Sequence, residues 1–160
     1  MAPHTTDREY GPGAGPPPAA LSDDEVLALV ASRTMGVLAS VKGDGSPDLA
    51  NMIHVWDPEA GGARISTVDD RVKVTHYRRD PTAVLHVTTG DFRSWGAAQG
   101  TVAVSPVATS RTDEVADELA AMHGPFADAV EEAQFRAQMV TDHRRVLRLT
   151  PTNFCGARLG

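Results

Sequence analysis

Short apolar runs recur along this chain at a spacing of about one strand plus one turn, and that rhythm restricts the fold more than any other feature. Met35–Val41 is followed by Lys42-Gly43-Asp44-Gly45-Ser46-Pro47, Asp48–Trp56 by Asp57-Pro58-Glu59-Ala60-Gly61-Gly62, and Ala63–Thr67 by an acidic turn and a short helical stretch. Asp-Gly supplies the positive φ that hairpin turns require. Further strands are expected over Ala83–Thr88, Ser94–Val107 (one or two strands) and Val146–Leu149. Five to seven short strands interrupted by a few helices predict an α+β domain built on a small split β-barrel of antiparallel strands. A doubly wound sheet is disfavoured, because strands and helices do not alternate and no Gly-rich dinucleotide fingerprint follows the first strand.

The helical segments carry their own signals. Ser22 and Glu25 form a capping box with Asp23 and Asp24 in the first turn, and the helix is expected to end near Arg33. Arg71–Arg79 reads as a short helix that stops before Pro81. Asp113–His123 and Phe126–Thr141 have helical periodicity and are split by Gly124-Pro125. Residues 1–20 are rich in Pro and Gly and are expected to be a flexible tail, leaving 21–160 as one domain.

Composition narrows the function. The net charge of −6 argues against nucleic acid as the partner. No apolar run approaches membrane-spanning length. A single cysteine, Cys155, rules out an internal disulfide, makes the cytoplasm the expected address and is itself expected to be a small buried residue. The six histidines lack metal-site spacing, so no metal is expected.

One segment carries chemistry. Ile65-Ser66-Thr67-Val68 leads through Asp69-Asp70 into a helix start bearing Arg71 and Lys73. Hydroxyls at a strand end, free N–H groups at a helix start and two cations two residues apart can hold a phosphate. Arg grips it with parallel bonds and Lys adds a point charge. Asp69 and Asp70 are expected to cap the helix and hold the cations in place. Trp95 is read equally as a ring-stacking residue and as an interface residue, while Trp56 reads as core. His54 and His76 are candidate proton donors, although a packed histidine is the commoner case.

The order of the pieces adds more. Met35-Gly36-Val37-Leu38-Ala39, Gly45-x-Pro47, Asn51, Arg71-x-Lys73, Arg78-Arg79-Asp80-Pro81, Gln99-Gly100-Thr101 and Gln138-Met139-Val140-Thr141-Asp142 follow one another over residues 22–157. This resembles the split β-barrel flavin/deazaflavin oxidoreductases related to pyridoxamine 5′-phosphate oxidase, and within them the actinobacterial subgroup that uses coenzyme F420, an 8-hydroxy-5-deazaflavin. The resemblance implies a homodimer with two cofactor sites at the subunit interface. It implies that Ser66, Arg71 and Lys73 hold the cofactor phosphate, with Thr67 beside them. Ala50, Asn51 and Met52 would line the deazaflavin ring, and Arg93, Trp95 and Gln99 would reach the site from the other subunit. His76 stands where the family often has asparagine, and Arg93 where it often has tryptophan. The implied activity is hydride transfer from reduced F420 to a conjugated double bond of a small molecule, as relatives do for tetrapyrroles, quinones, enones and dehydrotetracyclines. The alternatives are an FMN-dependent oxidase or reductase and a non-catalytic flavin- or haem-binding protein.

Overall fold

The computed structural model describes residues 17–160. The expected tail therefore lies outside the described residues over 1–16. Within its last part, Ala19–Ala20 forms a two-residue strand, β1, paired with the final strand.

The elements that follow are α1 (Asp23–Ser32), β2 (Met35–Val41), β3 (Pro47–Ile53), β4 (Val55–Asp57), β5 (Gly62–Val68), α2 (Val72–Arg79), β6 (Thr82–Thr88), β7 (Ser94–Val104), α3 (Glu114–His123), α4 (Ala129–Thr141) and β8 (Arg144–Arg158). All pairings are antiparallel, in the order β3-β2-β6-β7-β8-β5-β4 with β1 also on β8. The curled sheet is a split barrel, an α+β fold with helices at its ends and flanks.

Two expectations are corrected. The run Asp48–Trp56 is two strands rather than one, because the His54 N–H leaves the ladder and donates to the Thr34 carbonyl at 2.9 Å. The last strand is not confined to 146–149 but runs for 15 residues. It passes Pro151 at a bulge where the β7 register shifts between Gln99 and Gly100. Pro151 is the partner of Gly100 and Thr152 beside it is the extra residue, so the ladder is interrupted next to the proline.

The concave side of the sheet encloses Leu38, Ile65, Leu85, Val87, Ala98, Val102, Leu147 and Leu149, all buried. Burying each large aliphatic side chain contributes roughly 1.5–3 kcal/mol. α1 closes one end through Val26 and Val30. It comes this close because Gly96 and Gly156 lie beneath Val26: a Cβ on Gly156 would sit 2.8 Å from Val26 Cγ2 and 2.5 Å from the Trp95 carbonyl oxygen. α2 docks on β2 through the Tyr77 hydroxyl, which donates to the Ala39 carbonyl at 2.9 Å, and through Arg79, which donates to the Val41 carbonyl. α3 and α4 form a second core with Val146 on the opposite side of β8, around Ala108, Val115, Leu119 and Met139.

Candidate cofactor site

Strand alternation divides the expected site residues between two faces of β3. Gly36 pairs with Met52 and Leu38 with Ala50, so Ala50 and Met52 share the concave face with buried Leu38. Val37 pairs with Asn51, and the register through β6 and β7 places Asn51, Trp95 and Gln99 together on the convex face. Trp95 stacks there on His86, with ring centres 5.7 Å apart and planes at 25°. Gln99 accepts a hydrogen bond from Asn153 at 3.0 Å and lies 3.6 Å from the Cys155 sulfur. Cys155 is only half-buried on this open face, which corrects its reading as a small buried residue.

β3 is an edge strand, and its convex face is apolar and bare. Met35, Leu49 and Ile53 are 69%, 66% and 70% exposed. Such a surface marks an interaction site, and an open strand edge invites pairing.

The cation pair lies where β5 hands over to α2. Arg71 is the N-cap of α2 and is exposed; Lys73 follows in the first turn. The Lys73 ammonium reaches back to β3, where its hydrogen bond goes to the thioether Sδ of Met52 at 3.2 Å. A thioether is a weak acceptor. Burial lowers the Lys73 pKa most, the neighbouring Arg71 charge lowers it further, and Asp48 pulls it the other way. Two cations thus sit side by side, one of them partly stripped of water and lacking a carboxylate ligand among the described residues.

The aspartates do not do what adjacency suggests. No side chain caps α2. Asp69 instead binds Arg78, at 3.1 Å, and the buried Arg145 of β8, so it is not the counter-ion of Arg71 or Lys73. Ser66 and Thr67 also part company: Ser66 faces the helix-covered side of β5, whereas Thr67 points into the interior and is buried. Alternation along a strand forces this, since neighbouring residues cannot share a face. Arg93 lies just before β7 rather than on it and donates to the Gly160 carbonyl.

Neither histidine is placed as a proton donor to a substrate. His54 is fully buried, hydrogen-bonded through Nε2 to the Val30 carbonyl at 3.1 Å, and burial lowers its pKa. His76 is buried as well, with Nδ1 at 2.9 Å from the Ser40 hydroxyl and 3.6 Å from Asp48 Oδ2, so it helps fasten α2 to the sheet.

A cleft of about 500 Å³ opens beside Lys73's partner Met52. Asn51, Met52, Ile53, Val55 and Ser66 form one wall, and Leu119, Met122, His123, Phe135, Met139 and Arg144 the other. The second wall, from α3, α4 and the start of β8, went unmarked in the sequence. Its signal was the apolar spacing Leu119–Met122 and Phe135–Met139 on either side of the Gly124-Pro125 break. Among the described residues no group of His, Cys, Asp and Glu side chains is arranged to hold a metal, and no helix is long and apolar enough to cross a membrane.

No protein-family model matches the sequence. Solved structures do. A conserved hypothetical protein from Mycobacterium tuberculosis superposes with a TM-score of 0.67 at 21% identity, covering 86% of this chain and 85% of that one. An F420 reductase gives a TM-score of 0.55 at 23% identity over 79% and 93%. A FAD-binding protein from Mesorhizobium loti gives 0.62 at 17% over 89% and 99%. Curled antiparallel sheet, end-closing α1 and flanking helices together give this chain the split-barrel fold of the proteins related to pyridoxamine 5′-phosphate oxidase.

Proposed function

We propose that this protein is an oxidoreductase that binds coenzyme F420 and reduces a conjugated, enone-type carbon–carbon double bond in a small molecule. The observation that carries the reading is the Lys73 ammonium, half-desolvated beside Arg71 with only a thioether to bind. A buried cation without an anion is costly, and a phosphate relieves that cost with charge-assisted bonds. The residues therefore fit a phosphate-bearing cofactor. The fold shared with an F420 reductase and a FAD-binding protein supports the same class of ligand.

Arg71 and Lys73 grip the phosphate. The Ser66 hydroxyl and Met52 border the cleft and orient the ring system, with Ala50 behind them on the concave face. Asn51 lines the ring beside Met52, while Trp95 and Gln99 contribute from across a dimer seam made by the bare face of β2 and β3, whose exposed Met35, Leu49 and Ile53 are covered in the homodimer. A reduced deazaflavin supplies a hydride when bound there; the chain supplies position, orientation and shelter from water. Positioning of this kind is worth on the order of 7–11 kcal/mol. With His54 and His76 committed to packing, solvent delivers the proton that completes the product.

FMN is the second reading, because the cation pair fits its phosphate equally well and a FAD-binding protein shares the fold. Purified protein is examined for bound chromophore and then titrated with F420 and with FMN, following cofactor fluorescence. Saturable F420 binding, followed by oxidation of reduced F420 on addition of an enone, supports the reading. Tight FMN with no F420 binding replaces it with the flavin reading, and binding of neither removes both.

A further inference from the structure

We infer that the cleft between α3, α4 and the β3–β5 seam is the substrate compartment of this site, and that it takes a planar, largely apolar ring system bearing one anionic oxygen held by Arg144. The inference rests on the oxidoreductase reading above and specifies the ligand that reading leaves open.

The walls define the body of the ligand. His123 lies flat on Phe126, with ring centres 4.4 Å apart and planes 3° from parallel, and tilts against Phe135 at 4.7 Å. This aromatic group stiffens the helical wall, and its His123 and Phe135 rings border the cleft. Met122 and Met139 fill the space between with flexible, polarizable thioethers that adapt to an irregular outline. A cavity of about 500 Å³ lined in this way suits a small apolar molecule. Flat walls favour a flat ligand.

The charge defines its end. Among the described residues, Arg144 is the one side chain lining this cleft that carries a permanent charge. Its Nε is buried and has no hydrogen-bond partner. Asp142 Oδ2 lies 3.8 Å away, beyond hydrogen-bond reach, and the other Asp142 oxygen is taken by Gln138 Nε2 at 2.6 Å. The terminal N–H groups of Arg144 make no hydrogen bond among the described residues, so the end of this cleft-lining guanidinium is set for an anionic oxygen. A neutral ring would leave it without an anion, and among the described residues these walls offer a polyanion no second permanent charge. Met52 links this compartment to the phosphate cradle, since it lines the cleft and also holds Lys73.

The test uses the full-length protein and two fluorescent probes with the same rings. One, 1-anilinonaphthalene-8-sulfonate, carries the anion; the other, N-phenyl-1-naphthylamine, lacks it. Wild type is expected to bind one sulfonate probe per chain. Arg144→Gln should weaken the sulfonate probe at least tenfold and leave the neutral probe within twofold, with Arg144→Lys recovering part of the loss. Met122→Trp, which fills the cleft, should weaken both at least fivefold. Folding of each variant is checked by circular dichroism. If Arg144→Gln does not fold, Arg144→Lys and Met122→Trp decide. Unchanged sulfonate binding in folded Arg144→Gln, unchanged binding of either probe in Met122→Trp, or loss confined to Arg71→Ala/Lys73→Ala overturns the assignment. Parallel titration with F420 and FMN separates the two claims. Cofactor binding with the wrong probe pattern sinks the compartment alone, and the right pattern without cofactor binding sinks the oxidoreductase reading and leaves a binding pocket.

Discussion

Glu118 fastens the roof of the cleft to the barrel, and its removal gives a measurable result. From α3 the carboxylate accepts from Arg148 Nε at 3.1 and 3.0 Å and from Arg148 Nη2 at 2.6 Å, and it forms an ion pair with Arg64, whose Nε lies 3.0 Å away. The side chains of Glu118 and Arg64 are 19% and 13% exposed, and that of Arg148 is 36% exposed. Glu118→Ala leaves two guanidinium groups without their shared carboxylate, with Asp57 remaining 3.2 Å from Arg64 and Glu114 acting on Arg148 at longer range. Breaking a buried pair from one side costs about 3–5 kcal/mol. Discounting for the exposure of Arg148, the loss should be roughly 2–3 kcal/mol. At about 2–4 °C per kcal/mol for a chain of this size, the Tm should fall by roughly 4–12 °C. Calorimetry of Glu118→Ala, Glu118→Gln, Arg148→Ala and the double mutant Glu118→Ala/Arg148→Ala checks this, with a coupling of at least about 1 kcal/mol expected. A Tm within 2 °C of wild type for Glu118→Ala would refute the reasoning. Full stability in Glu118→Gln would show that shape rather than charge holds the helix.

Three further outcomes are expected. Arg71→Ala/Lys73→Ala should weaken cofactor binding by about 3–6 kcal/mol, two charge-assisted bonds at roughly 1.5–3 each, with a near-wild-type Tm, as read by fluorescence titration and thermal melts. His54 should make stability fall as pH drops below about 6.5, because the unfolded chain takes up a proton there that the buried ring accepts only at lower pH. Urea midpoints at pH 7.5 and 5.5 should therefore differ less in His54→Gln than in wild type, and an equal difference counts against the assignment. Gly156→Ala should destabilise by about 1–3 kcal/mol, since its Cβ must push against Val26 and the Trp95 carbonyl, and chemical denaturation reads this directly.

Local chemistry made much of the fold legible. The Ser22–Glu25 capping box, the positive φ of Gly45 and Gly61 in the first two turns, and the Gly124 break are all read from neighbouring residues. Features that depend on distant partners were not legible. The last strand was expected over Val146–Leu149, yet it continues past Pro151 with its register shifted against β7. Asp69 reads as a cap for the next helix, yet its partner Arg145 arrives from the far end of the chain. The same division holds at the site. The spacing of Arg71 and Lys73 was visible, because both belong to one helical turn. The stripe of Leu119, Met122, Phe135 and Met139 was ambiguous, because an apolar helix face has the same sequence whether it covers a core or borders a cavity. His54 and His76 were open between proton donor and packed residue, with packing the commoner case, and both are buried with hydrogen bonds inside the fold; a histidine's surroundings are set by distant partners that the sequence does not show.

β8 has a consequence for how the molecule comes into being. It lies between β7 and β5, so β4 and β5 have no connection to the rest of the sheet until it arrives. A nascent chain still holding residues 144–158 in the ribosome has two separate fragments of sheet, each with a raw margin and neither closed. Closure must therefore wait until residues 144–158 are free to pair with both fragments.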